Sequence, residues 1–565
     1  MILKALYDYY NRCEGLAPKG LKYQEIGYLI VIKEDGSFVR IESRMKDKKT
    51  AASFLVLEDV SRQGKQYAPN CFWDKYEYIV GGDGESDKKK QLFVDMTKDL
   101  GMQLPNNKEI KAVCNFYSKY SNLNLVLTKD SLYNELKKSK KYISFLLEGE
   151  PKIIAENDEI KNHILSSEKC NAIVQICLVT GIKDVIAKLH KKINLSKDSG
   201  PLVSFQKHSG YDSYGKEQGY NAPISETAEF AYRTALNTML GKDSHNKVTV
   251  ADRTFVFWAS SNNEVIERTE ESAFYLIGYS EKNVDDPNAK IEQVNKVFKA
   301  IYSGSLKTNL EDRFYILGLA QNSARTAVVY WSEIPLKEFA GNILKHLDDM
   351  RIIDNRKEKR PYMGIKDILS AVTLNGKQSE ATPNLPESIL RSIFQGLPYP
   401  YTLFSACIRR IMAENGGQGG IRICRIAILK AYLNRINDKN KNIEKMLDKN
   451  NTNQGYLCGR LFAVLDKIQE DANHTNTIRE RYMNAASSTP ASVFATILNL
   501  SSHHQENLPN EGRKVFFEKI KQEIIDKISA EGFPAHLDLQ DQGRFFVGYY
   551  HQRQDFFSKK EDNNE

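Results

Sequence analysis

Apolar and aromatic residues at Ile2, Leu3, Leu6, Tyr9 and Tyr10 recur at helical spacing, so the chain is expected to open on a helix over residues 1–13. The period then shortens. Residues 27–32 and 38–41 are β-rich runs around the turn signal Glu34-Asp35-Gly36, a hairpin pattern. Another strand is expected at 53–57, and the polar stretch 83–90 belongs on the surface. Residues 105–195 read as mostly helical, with short strands near Leu146 and Ile153. From Leu202 the pattern turns β again, passes through a loop and enters a helix over 225–240. Strands follow within 248–259, around Thr254-Phe255-Val256-Phe257-Trp258, and at 313–319 and 324–331.

Near residue 335 the character changes. Helical periodicity dominates 336–556, with helices expected at 336–346, 365–372, 386–395, 401–412, 421–435, 454–470, 478–486, 490–504 and 513–528. Breaks fall at 416–420, Pro490 and Phe533-Pro534. Amphipathic segments of this kind bury one another in a bundle. The expected fold class is α+β: a mixed α/β N-terminal region with β-hairpins, followed by a mostly α-helical C-terminal bundle. At 565 residues the chain exceeds a single core, and roughly two to four domains are expected. The first boundaries fall at residues 105 and 335.

An apolar fraction of 41% and a charged fraction of 27% are those of a soluble globular protein. No apolar run reaches the length of a membrane span, and the first residues lack the pattern of a signal peptide, so a cytoplasmic protein is expected. The eight cysteines form no Cys-x-x-Cys pair and sit near no histidine pair at zinc spacing. They read as reduced, mostly buried thiols, and neither metal nor cofactor is expected. The net charge of +8, from 80 basic and 72 acidic residues, is too small to establish nucleic-acid binding. It leaves room for local basic surface.

Catalytic signatures are missing. There is no phosphate-binding loop ending in Gly-Lys-Ser/Thr, no His-Asp pair and no Gly-x-Ser-x-Gly elbow, so no enzyme is expected. The glycine-rich run 415–420 enters a helix and reads either as an inter-helix loop or as an anion contact. Lys46, Lys48 and Lys49 form a basic stretch suited to phosphates. The loop 62–74 combines cations (Arg62, Lys65), amides (Gln66, Asn70) and aromatics (Tyr67, Phe72, Trp73). Cations hold phosphates, amides reach base edges and aromatics stack on bases. Asn70 is the first candidate for a base edge and Gln66 the second, while Trp73 reads as a core anchor. A second loop, 208–225, carries Tyr214, Lys216, Gln218 and Asn221 among several glycines; it suits RNA or a neighbouring subunit, or packs between domains. Arg409, Arg410, Arg422 and Arg425 flank the glycine run, facing nucleic acid or forming a salt-bridged helix face.

Several stretches spread in order along the chain resemble the type I-C CRISPR large-subunit family, the Csd family. They include Ala68-Pro69-Asn70-Cys71-Phe72-Trp73-Asp74, Ser213-Tyr214-Gly215-Lys216-Glu217-Gln218-Gly219-Tyr220-Asn221-Ala222-Pro223, Gly455-Tyr456-Leu457-Cys458-Gly459-Arg460-Leu461-Phe462 and Gly548-Tyr549-Tyr550-His551-Gln552-Arg553-Gln554. The resemblance implies a non-catalytic Cascade subunit. Its partners would be CRISPR RNA, target double-stranded DNA, other Cascade subunits and a recruited helicase-nuclease. It would bind near the 5′ handle of the RNA, read a short protospacer-adjacent motif in duplex DNA and start R-loop formation, leaving sequence choice to base pairing. The alternatives are a scaffold or recruitment subunit without DNA reading, and a nucleic-acid enzyme with a dispersed site. The resemblance also implies a small-subunit-like helical domain over 446–565, made separately from an internal start at Met446, after a helical connecting region over 336–445.

Overall fold

The computed structural model describes all residues except 1, 61, 63–66, 83, 167–171, 197–198, 209, 211–214, 243, 262–268, 270–271, 273–286, 307–308, 310, 323–324, 355–362, 415–420, 437–441, 476 and 558–565. With 51% helix and 15% strand it is a mixed fold, sheet-rich towards the N-terminus and mostly helical after it. The described chain forms two compact units. A sheet unit comprises Cys13–His190 and Val203–Ala235, and a helical unit comprises Met1–Arg12, Lys191–Leu202 and Leu236–Glu565.

The sheet unit is organised around β1 (Leu21–Ile32). Its second half, from Tyr28 to Ile32, is an aromatic and aliphatic run buried throughout, as befits a central strand. β2 (Phe38–Ser43) and β3 (Ala52–Leu57) pair antiparallel with successive halves of β1. β5 (Tyr142–Leu147) pairs with β1 in parallel, and the short β4 (Trp73–Asp74) pairs antiparallel with β5. The helix Lys108–Lys119 packs on β1 and β5. There Phe116 meets Phe145 edge-on at 5.8 Å. A small hairpin, β6 (Val174–Ile176) with β7 (Lys183–Val185), lies apart from this sheet.

In the helical unit, β8 (Lys247–Val250), β9 (Arg253–Ala259), β10 (Arg313–Asn322) and β11 (Arg325–Pro335) form an antiparallel sheet. Stacked rings carry its core into the helices. Phe314 lies 4.1 Å from Phe339, and Phe339 lies 5.4 Å from Phe394. The densest packing joins the helices Gln454–Asn473 and Leu539–Asp555. Their glycines allow it. A Cβ at Gly459 would sit 2.0 Å from the Phe545 carbonyl oxygen, and one at Gly548 would sit 2.3 Å from that of Tyr456. Two of the stretches that carry the family resemblance are thus the two faces of one helix crossing. Residues before and after Met446 share a single hydrophobic core, and Met446 itself is exposed between the helices Ile423–Ile436 and Gln454–Asn473.

Three local expectations need correction. The strand expected near Ile153 is a 3-10 turn, Ile154–Glu156. No strand follows Leu202 among the described residues before the helix Glu226–Met239. Most consequential, the helix Leu539–Asp555 was not expected from periodicity. Residues 545–552 are buried on every side, so no polar stripe marks a helical period there. Among the described residues, no helix is long and apolar enough to cross a membrane.

Candidate nucleic-acid interface

The loop leading into β4 is closed at its base by three side chains. The Val60 amide donates to Asn70 Oδ1 at 3.0 Å, and the Asn70 amide donates to Asp74 Oδ2 at 2.9 Å. Asp74 Oδ1 accepts from the Lys75 amide at 2.8 Å. Arg62 completes the clamp. Its guanidinium donates to Asp74 and, through Nε, to the Ala68 carbonyl at 2.7 Å, and it lies 4.1 Å from the centre of the Tyr78 ring. Asp74 is fully buried. That burial pushes its carboxyl up from the usual range, against the pull of the Asn70 amide and Arg62. Phe72 takes a left-handed backbone with φ 57°, which turns its ring into the core. Trp73 is a core anchor, as expected, with Nε1 donating to the Leu57 carbonyl at 3.1 Å.

The clamp changes how the candidate residues of this loop are read. Asn70, the leading candidate for a base edge, is 2% exposed and its side-chain oxygen is committed to Val60. Arg62 is tied to Asp74 and stacked on Tyr78. Both hold the loop's shape. Tyr67 is exposed, with the Lys89 ammonium 5.1 Å from its ring centre. Its phenol is raised above its ordinary range by a hydrogen bond to Glu85. Lys65 and Gln66 lie outside the described residues.

The second basic element is the excursion between β2 and β3. Met45 bridges Ala51, and the Lys46 amide donates to the Thr50 carbonyl at 3.0 Å. Asp47 organises the tip, accepting from the amides of Lys49 at 2.6 Å and Thr50 at 2.8 Å and from the Thr50 hydroxyl at 2.6 Å. These bonds hold its carboxyl down at about 2. Lys46, Lys48 and Lys49 all project into solvent.

The fold brings a third basic segment against this turn. The Lys141 ammonium donates to Glu25 at 2.8 Å and to the Lys49 carbonyl. Gly27, at a register shift between β1 and β5, makes the approach possible. A Cβ there would lie 2.7 Å from Lys141 Cβ and 3.2 Å from Met45 Sδ. Between the turn and residues 138–141 lies an open cleft of about 870 Å³. Lys46, Lys48, Lys138, Lys140 and Lys141 line it, against two carboxylates, Asp47 and Glu135. Glu135 accepts from the Tyr28 hydroxyl at 2.7 Å, and Tyr28 is pushed up to about 12, so it stays a neutral donor. The lysines of 137–141 were not singled out from sequence. Four lysines in the five-residue run Lys137-Lys138-Ser139-Lys140-Lys141 were the available signal.

The other candidates divide. In the second loop, Asn221 Nδ2 donates to the carbonyls of Gln218 at 3.0 Å and Lys216 at 3.4 Å, closing its own turn. Gly219 packs on 187–188, where a Cβ would meet the Ala187 carbonyl oxygen at 2.3 Å. Lys216 is exposed, and Tyr214 lies outside the described residues. Arg425 is 1% exposed and bonds Glu414 at 2.6 Å and the Ala371 carbonyl at 2.7 Å. Arg410 pairs with the same glutamate. Those two arginines take the salt-bridged reading, while Arg409 and Arg422 are exposed. The glycine run 415–420 lies outside the described residues. No group of three or more histidine, cysteine or acidic residues able to hold a metal occurs among the described residues.

Comparison with known families gives one match, to the model described as CRISPR-associated protein (Cas_Csd1), over residues 6–557. No curated protein matches the chain.

Proposed function

Because the chain belongs to the Csd1 family of CRISPR-associated proteins, we propose that it is the large subunit of a type I-C Cascade. In this reading it binds the CRISPR RNA handle, recognises the protospacer-adjacent motif of target duplex DNA and starts R-loop formation. It has no chemistry of its own and leaves cutting to a recruited helicase-nuclease. The observation that supports a reading role is the clamped base of the 62–74 loop. A short loop discriminates base pairs only if its register on the duplex is fixed. Arg62, Asn70 and Asp74 hold the base of the loop in one shape from within the protein, which supports such a role. A small loop entering the minor groove distinguishes mainly A·T from G·C, which suits a brief motif.

The test is a reconstituted complex, assembled with and without this chain and titrated with matched duplexes carrying a randomised flank at fixed salt. Flank-selective binding that needs the chain supports the reading. Flank preference that persists without it leaves the scaffold reading, which the burial of Asn70 favours. Asn70→Ala does not separate the two, because it opens the loop's base whatever the loop reads. Lys65→Ala with Gln66→Ala is the sharper test, because it leaves Arg62, Asn70 and Asp74 in place.

A further inference from the structure

We infer that the lysine-walled cleft between the 45–51 turn and residues 138–141 binds the sugar–phosphate backbone of one nucleic-acid strand and leads that strand towards the 62–74 loop. The inference rests on the nucleic-acid reading above and adds a site to it. Two segments far apart in sequence supply opposite walls, so the cleft embraces a strand where a flat basic patch would only attract one. The charge balance favours a polyanion. Of the two lining carboxylates, Asp47 is turned onto the amides of Lys49 and Thr50 and Glu135 onto Tyr28. Of the five lysines, Lys141 is held by Glu25 and the Lys49 carbonyl. Lys46, Lys48, Lys138 and Lys140 remain exposed along the cleft. Ammonium groups on flexible stems suit phosphates met without regard to base identity.

The cations continue beyond the cleft. Tyr142 follows Lys141 directly and packs on Trp73 at 5.1 Å, at the foot of the 62–74 loop. Lys75 lies 5.9 Å from the Tyr142 ring centre, and Lys22 lies 5.2 Å from that of Trp73. Lys22 is paired with Asp59 at 3.0 Å, so Lys75 is the cation that a strand leaving the cleft meets on the way to the loop. Gly27 sets the width of the entrance, since any side chain there forces Lys141 and Met45 apart.

The full-length chain carrying Lys138→Glu and Lys140→Glu tests this, with Lys46→Glu and Lys48→Glu as a second pair from the opposite wall. Lys129→Glu with Lys98→Glu is the charge-matched control. Binding is read by fluorescence anisotropy across a salt series, with three probes: a duplex DNA, the same DNA single-stranded, and a guide RNA. Each cleft pair is expected to weaken binding about tenfold or more and to lower the slope of log affinity against log salt by about two. The control pair should bind like wild type. Loss on the RNA alone assigns the strand to the guide, and loss on the DNA probes assigns it to the target; both support the site. Wild-type affinity and slope in both cleft pairs, with wild-type melting, overturn the cleft and leave the functional reading standing. A wild-type chain that binds none of the probes overturns both. If a cleft pair does not fold, Lys138→Gln with Lys140→Gln gives the same readout at half the charge change.

Discussion

Asp74→Ala is the substitution that most directly separates a clamped loop from a loosely attached one. It leaves three donors without their acceptor: the Arg62 guanidinium, the buried Asn70 amide and the part-buried Lys75 amide. A stranded buried donor costs about 1–3 kcal/mol. The Lys75 amide regains part of that from water, and the Arg62 side chain, 29% exposed, regains most. The sum is about 3 kcal/mol. For a domain of this size that lowers the melting temperature of the sheet unit by about 6–12 °C, at about 2–4 °C per kcal/mol. Trp73 adjoins the site and is buried in the same unit, so tryptophan fluorescence together with calorimetry follows the transition. Opening the base also exposes the chain after Arg62 to trypsin. In the reconstituted complex the flank preference should collapse while flank-independent affinity stays. Asp74→Asn, which keeps an acceptor oxygen but loses the charge, should fall between. A melting temperature within about 1 °C of wild type and unchanged trypsin cleavage would refute the clamp.

Other outcomes follow from the helical unit. A Cβ at Gly459 meets backbone atoms, the Phe545 carbonyl oxygen at 2.0 Å and the Tyr549 nitrogen at 2.9 Å. Gly459→Ala should therefore cost at least about 1–3 kcal/mol. Gly512→Ala, whose nearest neighbour would be 3.5 Å away, should be neutral or slightly stabilising by calorimetry. Burial holds His346 and His551 down at about 3, whereas unfolded they titrate near about 6.5. Their stability contribution is complete above the unfolded value and is lost as pH falls towards the folded one, at about 1.4 kcal/mol per pH unit for each. Melting temperature should fall between pH 6.5 and 4.5 and fall less in His346→Gln with His551→Gln; equal slopes in variant and wild type sink this account. Arg425→Gln should lower stability by breaking the buried guanidinium's pair with the part-exposed Glu414, whereas Arg409→Gln with Arg422→Gln should leave the melting temperature unchanged.

The parts legible in sequence are the strands, marked by β-branched and aromatic runs between turn signals, and the helices that keep one face towards solvent. The strands at 38–41 and 53–57 show as short apolar runs, and most C-terminal helices show by their helical period. The helix Leu539–Asp555 does not, because its middle is enclosed on all sides and its glycines look like breaks. The candidate site was legible by composition only. Lys46, Lys48 and Lys49 stand out as a run and are exposed. Asn70 and Arg62 carry the right chemistry for a nucleic acid, but the fold uses that chemistry on their own loop. Nothing in a linear reading brings residues 138–141 against the 45–51 turn. That meeting depends on the parallel pairing of β1 with β5 and on the space left at Gly27.

Two of the stretches that carry the family resemblance, 455–462 and 548–554, form a packing seam and no ligand surface, for a physical reason. Gly455, Gly459 and Gly548 are required because two helix backbones touch, and Tyr456 and Arg460 cross the same seam to His551 and Gln552. Such a contact fixes residue types at fixed spacing, which is what makes a motif. Binding a phosphate backbone needs only positive charge in one place, and lysines at 46, 48, 138 and 140 supply it without a shared pattern. A chain with both glycine stretches intact but acidic residues at 138 and 140 would keep this fold and lose the cleft. Calorimetry on such a variant should match wild type while its salt-dependent binding does not. If melting and binding fell together, the cleft would be part of what holds the sheet unit, and the separation of packing motif from binding surface would fail.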